Sequence, residues 1–121
     1  MQINIIHVNG TNLALIESDQ LIIGDMQDAL DLLASCNYQG ASKIIVHAEH
    51  IHPDFFDLKT GMAGEVLRKF STYQTQLAIV GGFSQYTSKS LQAFIFESNK
   101  VGRINFVENM QEAQEKLSKA I

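Results

Sequence analysis

The sequence has little of the residues that mark disulfide-stabilised or disordered proteins. Its 121 residues include one cysteine, one proline, eight glycines and no tryptophan. A lone Cys36 cannot form an intrachain disulfide, which is typical of a reducing compartment, and we expect it to fill apolar space near a helix end. The scarcity of proline and glycine argues against a disordered segment. The composition therefore predicts one folded domain over residues 1–121, located in the cytoplasm.

Basic charge and long apolar runs are scarce as well. Nine lysines and arginines stand against thirteen acidic residues, which gives a net charge of −4. Basic residues occur singly apart from Arg68 and Lys69, so there is no basic stripe to neutralise a phosphate backbone. The opening residues Met1–Ile6 lack the features of a signal peptide, and no apolar run approaches the roughly 20 residues that a membrane helix needs. We therefore expect neither nucleic acid nor membrane as a partner.

The sequence does contain a regular alternation of apolar runs and amphipathic segments. Strands are predicted at Ile3–Val8 and Leu13–Glu17, and the Asn9-Gly10 pair between them suits a tight hairpin turn. Three more apolar runs are typical of buried strands, and they lie at Lys43–Ala48, Gln76–Val80 and Arg103–Val107.

Amphipathic helices are predicted after the last four of these strands. The first begins at Asp25 and ends near Cys36–Gly40, and the second follows Thr60-Gly61. Ser84 or Thr87 is expected to cap the third, and Asn109 with Glu112 has the form of a capping box for the fourth. The expected apolar stripes are Met26, Ala29, Leu30 and Leu33; Met62, Ala63, Val66, Leu67, Phe70 and Tyr73; Leu91, Phe94 and Ile95; and Ala113 and Leu117. The order β-β-α-β-α-β-α-β-α predicts an α/β domain with a mixed, mostly parallel sheet and an N-terminal hairpin.

The loop after the third strand has the densest set of chemically active side chains. They are His47, Glu49, His50, His52, Asp54 and Asp57. Imidazoles and carboxylates are ligands for zinc, nickel or iron, which makes the three histidines candidate metal ligands. The spacing matches no metal motif, however, and alternate side chains at a strand end point to opposite faces. A polar loop with one partly buried histidine is the simpler interpretation, and we expect no bound cofactor.

Two glycine-containing turns are candidates for binding an anion or a partner. Thr60-Gly61 begins a helix whose free N–H groups favour negative charge, and Lys59 adds a positive charge beside it. A role for Thr60 as a simple N-cap is the plainer interpretation. The Gly81-Gly82 pair lacks the phosphate-binding and dinucleotide-binding patterns, and a turn explains it equally well. No nucleophile elbow surrounds Ser84 or its neighbours, so the sequence indicates no catalytic site.

Several segments resemble a bacterial family known as domain of unknown function forty-one-eighty (DUF4180). They are Ile22-Ile23-Gly24-Asp25, Asp54–Gly61, Thr87–Leu91 and Phe94–Asn99. This resemblance spans nearly the whole chain and implies no particular activity.

A more distant resemblance is to the anti-sigma-factor antagonists, the STAS or SpoIIAA-like domains. It is carried by Ile44–Val46, Asp57–Gly61 and Leu77–Gly81, and it implies a STAS-like fold and a regulatory role through protein partners. Those domains have a regulatory serine at the helix start. Alignment on Gly61 places Lys59 at that serine and Thr60 at the next position, so the resemblance does not bring a phosphoserine switch.

The preferred hypothesis is a non-enzymatic regulatory or protein-interaction module. Its expected site comprises Asp57, Lys59, Thr60, Gly61, Gly81, Gly82 and Ser84. The alternative is a small-molecule or metal-binding protein, or an unrecognised enzyme, that uses the loop His47–Asp57. A third hypothesis is a homo-oligomeric structural component. Because Phe94, Ile95 and Phe96 are consecutive, Phe96 is either covered by a neighbouring element or part of a partner surface such as a homodimer contact.

Overall fold

Residues 1–118, the part of the chain that the computed structural model describes, form one five-stranded sheet with four α-helices. The strands are β1 (Gln2–Val8), β2 (Thr11–Glu17), β3 (Lys43–His47), β4 (Gln76–Val80) and β5 (Ile104–Val107). The helices are α1 (Met26–Tyr38), α2 (Met62–Thr72), α3 (Lys89–Val101) and α4 (Met110–Ser118). The predicted order of elements is confirmed, and the last three residues of the predicted domain lie outside the described part.

The strands lie in the sheet in the order in which they occur along the chain, β1-β2-β3-β4-β5. β1 and β2 are antiparallel, and the other neighbouring strands are parallel, which confirms the mixed, mostly parallel sheet. Val8 and Thr11 close the hairpin, with Asn9 at φ 51° and Gly10 at φ 78°. Both turn residues therefore adopt the left-handed conformation that an Asn-Gly turn favours.

The two faces of the sheet are covered unequally. Helices α1, α2 and α3 contribute to the main apolar core with one face of the sheet, whereas the residues of α4 pack against the other face. On the α4 side, Ala113 and Leu117 are fully buried against the strands. No helix within residues 1–118 is long and apolar enough to cross a membrane.

Helix α1 presents a slightly different face to the core from the one predicted. Its buried residues are Ala29, Leu32, Leu33 and Cys36. Burial of the Cys36 side chain agrees with the expectation, and it raises the pKa of the thiol to about 11 because the charged thiolate loses its hydration.

Two residues of the predicted apolar stripes, Leu30 and Tyr73, are not in the core. Leu30 is half-buried and Tyr73 is exposed. Tyr73 follows the last residue of α2, so it lies past the face that the helix buries. Both side chains line an open groove of about 540 Å³ that runs along α1 and is bounded by Tyr73 on its other side.

Of the N-caps predicted for α1 and α3, the first is confirmed and the second is wrong. Asp25 accepts the N–H of Asp28 at 2.9 Å, as predicted. The prediction that Ser84 or Thr87 caps α3 is wrong, because α3 starts later and the Ser88 hydroxyl accepts the N–H of Leu91 at 3.2 Å.

The predicted capping box at α4 is confirmed on one side. Asn109 Oδ1 accepts the N–H of Glu112 at 2.8 Å. The Glu112 carboxylate accepts the N–H of Glu108 at 3.4 Å rather than that of Asn109. The return bond of a capping box is thus shifted by one residue.

Candidate functional site

The segment after β3, residues 48–61, is a folded part of the core rather than a polar loop. It consists of three short 3₁₀ turns at Ala48–His50, Pro53–Phe56 and Leu58–Thr60. Ile51 is buried and forms a parallel bridge with Ile23, and the N–H of His52 donates to the Ile23 carbonyl at 2.8 Å. The prediction of a polar loop is therefore wrong for its inner side, which other parts of the chain cover.

An aromatic cluster connects this segment with the loop after β4, residues 81–88. The rings of Phe56 and Tyr86 are stacked, with centroids 5.3 Å apart and planes inclined by 12°. Phe83 lies 6.0 Å from Phe56 and meets Phe106 of β5 edge-on at 5.2 Å. Because stacked and edge-on arrangements are both favourable for aromatic pairs, the cluster fixes the two loops relative to each other. The structure thus brings together the two loops that were predicted to form one surface.

The Thr60 hydroxyl holds the end of the first loop. It lies 2.6 Å from the Asp54 carbonyl and 2.8 Å from the Asp57 carbonyl, and it donates to both in a shared bond. The same oxygen accepts the N–H of Met62 at 3.3 Å. The Asp57 carboxylate accepts the N–H of Lys59 at 3.3 Å. Both side chains therefore stabilise the turn that leads into α2.

Gly61 and Lys59 complete the entry to α2. Gly61 is the residue before the helix and has φ 78°, a conformation in which a side chain would be strained. The Lys59 side chain is exposed, and within residues 1–118 no carboxylate lies within 4.0 Å of its ammonium group. Lys59 is thus a positive charge at the surface that the rest of the described chain does not neutralise.

Gly81 and Gly82 have different surroundings. A Cβ built on Gly81 would lie 2.8 Å from the Cβ of Ala48, whereas one on Gly82 would meet nothing within 4 Å. The N–H of Gly81 donates to the Val107 carbonyl at 2.9 Å, so Gly81 still belongs to the sheet. The space beside Gly81 is filled by Ala48 of the first loop and by the Phe83 ring of the second. Gly82 and Ser84 are exposed at the rim.

Two of the three candidate histidines, His50 and His52, are held by backbone groups, and the His47 ring meets the His50 ring edge-on at 5.4 Å. His50 is 3% exposed, its Nδ1 accepts the N–H of His47 at 3.2 Å, and its Nε2 lies 3.0 Å from the Ser18 carbonyl. Because Nδ1 accepts, the proton is assigned to Nε2, which donates. His52 Nδ1 accepts the N–H of Asp54 at 3.0 Å. Both ring nitrogens of His50 and one of His52 thus already have hydrogen-bond partners. Within residues 1–118, no three His, Cys, Asp or Glu side chains are placed so that they could hold one metal ion together.

The aromatic cluster was not predicted from the sequence. Its signals were the adjacent Phe55 and Phe56 inside a segment assigned as polar, and the aromatic pair Phe83 and Tyr86 three residues apart. Adjacent aromatic residues in an otherwise polar loop are a mark of burial, since large aromatic side chains are rarely left in water without a partner.

These features define a small α/β domain with three helices on one face of the sheet and two connected loops at the carboxyl ends of β3 and β4. The chain belongs to the family described as Domain of unknown function (DUF4180), whose sequence pattern matches residues 8–117. This confirms the predicted family. No curated protein matches the chain significantly.

One solved structure is similar in its overall course. It is a protein from Thermotoga maritima that is provisionally assigned as an anti-sigma factor antagonist. Its sequence is 13% identical to this one, the superposition has a TM-score of 0.49, and the match covers 97% of this chain and 95% of that one.

Proposed function

We propose that the protein is a non-enzymatic, regulatory protein-interaction module. Its binding surface is the outer side of the two loops at the carboxyl ends of β3 and β4, here called the loop surface. It comprises Asp57, Lys59, Thr60 and Gly61 from the first loop and Gly82 and Ser84 from the second, all of them exposed. Ligands and partners of open α/β sheets commonly bind at this end of the strands.

The observation that carries the proposal is the rigid connection between the two loops. Phe56, which directly precedes Asp57 in the first loop, is stacked on Tyr86 and packed against Phe83 of the second loop. A surface that is ordered before binding loses little conformational entropy when a partner docks. The aromatic cluster therefore supports a docking role for the loops that it connects.

The polar groups of the loop surface are used to build its backbone. Thr60 and Asp57 are bonded to main-chain groups of their own loop, and so is His52, which lies outside the loop surface in the same loop. These bonds support structural roles for the hydroxyl, the carboxylate and the imidazole rather than roles in proton transfer. Lys59 is the charged group that is left to contact a partner.

The charge of Lys59 indicates the chemistry of that partner. Lys59 precedes the first residue of α2 by three positions, and the free N–H groups of a helix start add a partial positive charge. The whole chain has a net charge of −4, so this positive spot lies on an acidic protein. We propose that a partner protein presents a carboxylate or phosphate group to Lys59.

Lys59→Glu is the variant that tests the proposal. We expect it to weaken binding of the partner by about tenfold, which corresponds to about 1.4 kcal/mol. Lys116→Glu, at the far end of α4, makes the same change of net charge and is the matched control. The measurement is affinity capture from a lysate of the native host with quantitative mass spectrometry, on variants with unchanged thermal unfolding. Equal recovery of every partner by both variants would contradict the proposal.

A further inference from the structure

The two edge strands of the sheet, β1 and β5, differ in whether their outward backbone groups are bonded. β5 is the edge at which such groups have partners. All four residues of β5 are buried. The side chain of Asn99 on α3 bonds the backbone of Phe106 twice, since its Oδ1 accepts the Phe106 N–H at 2.7 Å and its Nδ2 donates to the Phe106 carbonyl at 3.2 Å. A side chain therefore occupies the positions that another strand would use.

The open edge is β1. Its closing pair with β2 is Val8 and Thr11, and in an antiparallel ladder directly bonded residues alternate with unbonded ones. In a two-residue hairpin the closing pair is bonded, so the N–H and C=O groups of Ile3, Ile5 and His7 point away from β2. Within residues 1–118 neither a side chain nor a loop bonds these groups.

β1 also lacks the features that protect exposed strands. Its seven residues include no lysine, no other charged side chain and no proline. Ile5 is 37% exposed, although it lies in the middle of the strand. Natural edge strands are usually short, charged, bulged or covered. An open, uncharged and partly apolar strand of this length is instead suited to pair with a further strand.

We propose that β1 is a dimerisation strand and that its occupant is β1 of a second copy of this chain. The two strands pair antiparallel about a two-fold axis at Ile5. Ile5 then faces the partner's Ile5, and Ile3 faces the partner's His7. This register uses all three outward-facing residues of each strand and forms about six hydrogen bonds. It joins the two sheets into one. Dimerisation through β1 does not depend on the proposed binding of a partner by the loop surface.

The composition of β1 fits pairing with a second copy. Each chain has a net charge of −4, so two copies repel each other overall and can pair only through a segment where no acidic groups face each other. Self-pairing of β1 places no charged residue opposite another, because Gln2–Val8 contains none. The contact is isologous, which closes at two copies and leaves no open edge at β1.

Two variants with opposite charges at Ile5 test whether β1 forms the dimer contact and whether the two-fold axis lies at Ile5. In Ile5→Lys two ammonium groups face each other across the axis, and in Ile5→Glu two carboxylates do so, which is destabilising. Each variant alone is expected to have the mass of one chain by light scattering, whereas an equimolar mixture has the mass of two, like the wild-type protein at high concentration. His7→Pro, which removes an outward N–H that β2 does not use, is a second variant expected to lose the dimer while it keeps its circular dichroism.

Phe96→Lys separates this proposal from dimerisation through the outer face of α3. Phe96 is 61% exposed, and this variant is expected to keep the wild-type mass. A wild-type protein with the mass of one chain at every soluble concentration would overturn the proposal. So would a dimer that Phe96→Lys abolishes and Ile5→Lys and His7→Pro do not, or one that the mixture of Ile5→Lys and Ile5→Glu fails to restore.

Discussion

The segment of residues 48–61 and strand β1 reverse the usual relation between regular backbone and burial. The segment has neither a β-strand nor an α-helix, yet His50, Ile51, Phe55 and Phe56 are buried in it. β1 is a regular strand of seven residues, and none of them is buried. The irregular part of the molecule thus lies deeper than one of its strands.

The difference shows that the two regions are stabilised by different interactions. β1 is held chiefly by its ladder with β2, whereas the segment is held by side chains from distant parts of the chain. Local stability follows buried apolar area more closely than regular backbone. We therefore expect residues 48–61 to unfold together with the whole domain, and β1 to be the less protected of the two regions in a monomer.

Replacing the deepest ring of the segment is expected to have the largest effect. Phe55 is 1% exposed, and it packs against Phe56 and Phe106. Phe55→Ala should lower the free energy of unfolding by about 3 to 5 kcal/mol, since it leaves a cavity in a close-packed core. Ile5→Ala in β1 is the matched truncation and should cost about 1 kcal/mol or less. Urea unfolding of both variants, at concentrations where the protein is monomeric, measures the two values. Similar losses of stability would contradict the view that the segment of residues 48–61 is more strongly stabilised than β1.

A smaller effect is expected where the first loop meets the second. Gly81→Ala brings a methyl group to 2.8 Å from the Cβ of Ala48, so the loops must move apart, at a cost of about 2 kcal/mol. Gly82→Ala is the adjacent control, and its Cβ meets nothing within 4 Å.

The double variant Gly81→Ala/Ala48→Gly identifies the cause of that cost. If the contact with Ala48 is responsible, removal of its methyl group should restore much of the lost stability, and the two changes should not be additive. Thermal unfolding of the two single variants and the double variant provides the measurement. Additive losses would place the effect of Gly81→Ala elsewhere.

Most of the fold could be predicted because its signals are local. The hairpin follows from Asn9 and Gly10, which tolerate positive φ. The start of α1 follows from Asp25, whose carboxylate accepts the N–H of Asp28 three residues ahead. Strand and helix periodicity are likewise properties of short segments. These features need no information about distant parts of the chain.

The interior of the candidate site could not be predicted for the opposite reason. Phe56 is covered by Tyr86, thirty residues further on, and Ile51 pairs with Ile23, which precedes α1. No local pattern states which distant segment will cover a loop. Lys59 and Gly61 were found because a helix start is a local signal, and their role in binding stays a prediction.

The smallest effect in this series is expected from the buried histidine of the segment. His50 joins the end of β3 to Ser18 after β2, and its two ring nitrogens bond the backbone of His47 and Ser18. His50→Ala leaves a backbone N–H and a carbonyl without these partners, which should cost about 1 to 2 kcal/mol. His7→Ala in β1 is the matched control, because His7 is exposed and, among residues 1–118, its ring bonds only the Asn12 side chain at 2.8 Å; it should cost less than about 0.5 kcal/mol. Urea unfolding at neutral pH compares the two. An equal cost would mean that His50 is not a structural link, and that the contrast between the segment and β1 depends on its aromatic rings alone.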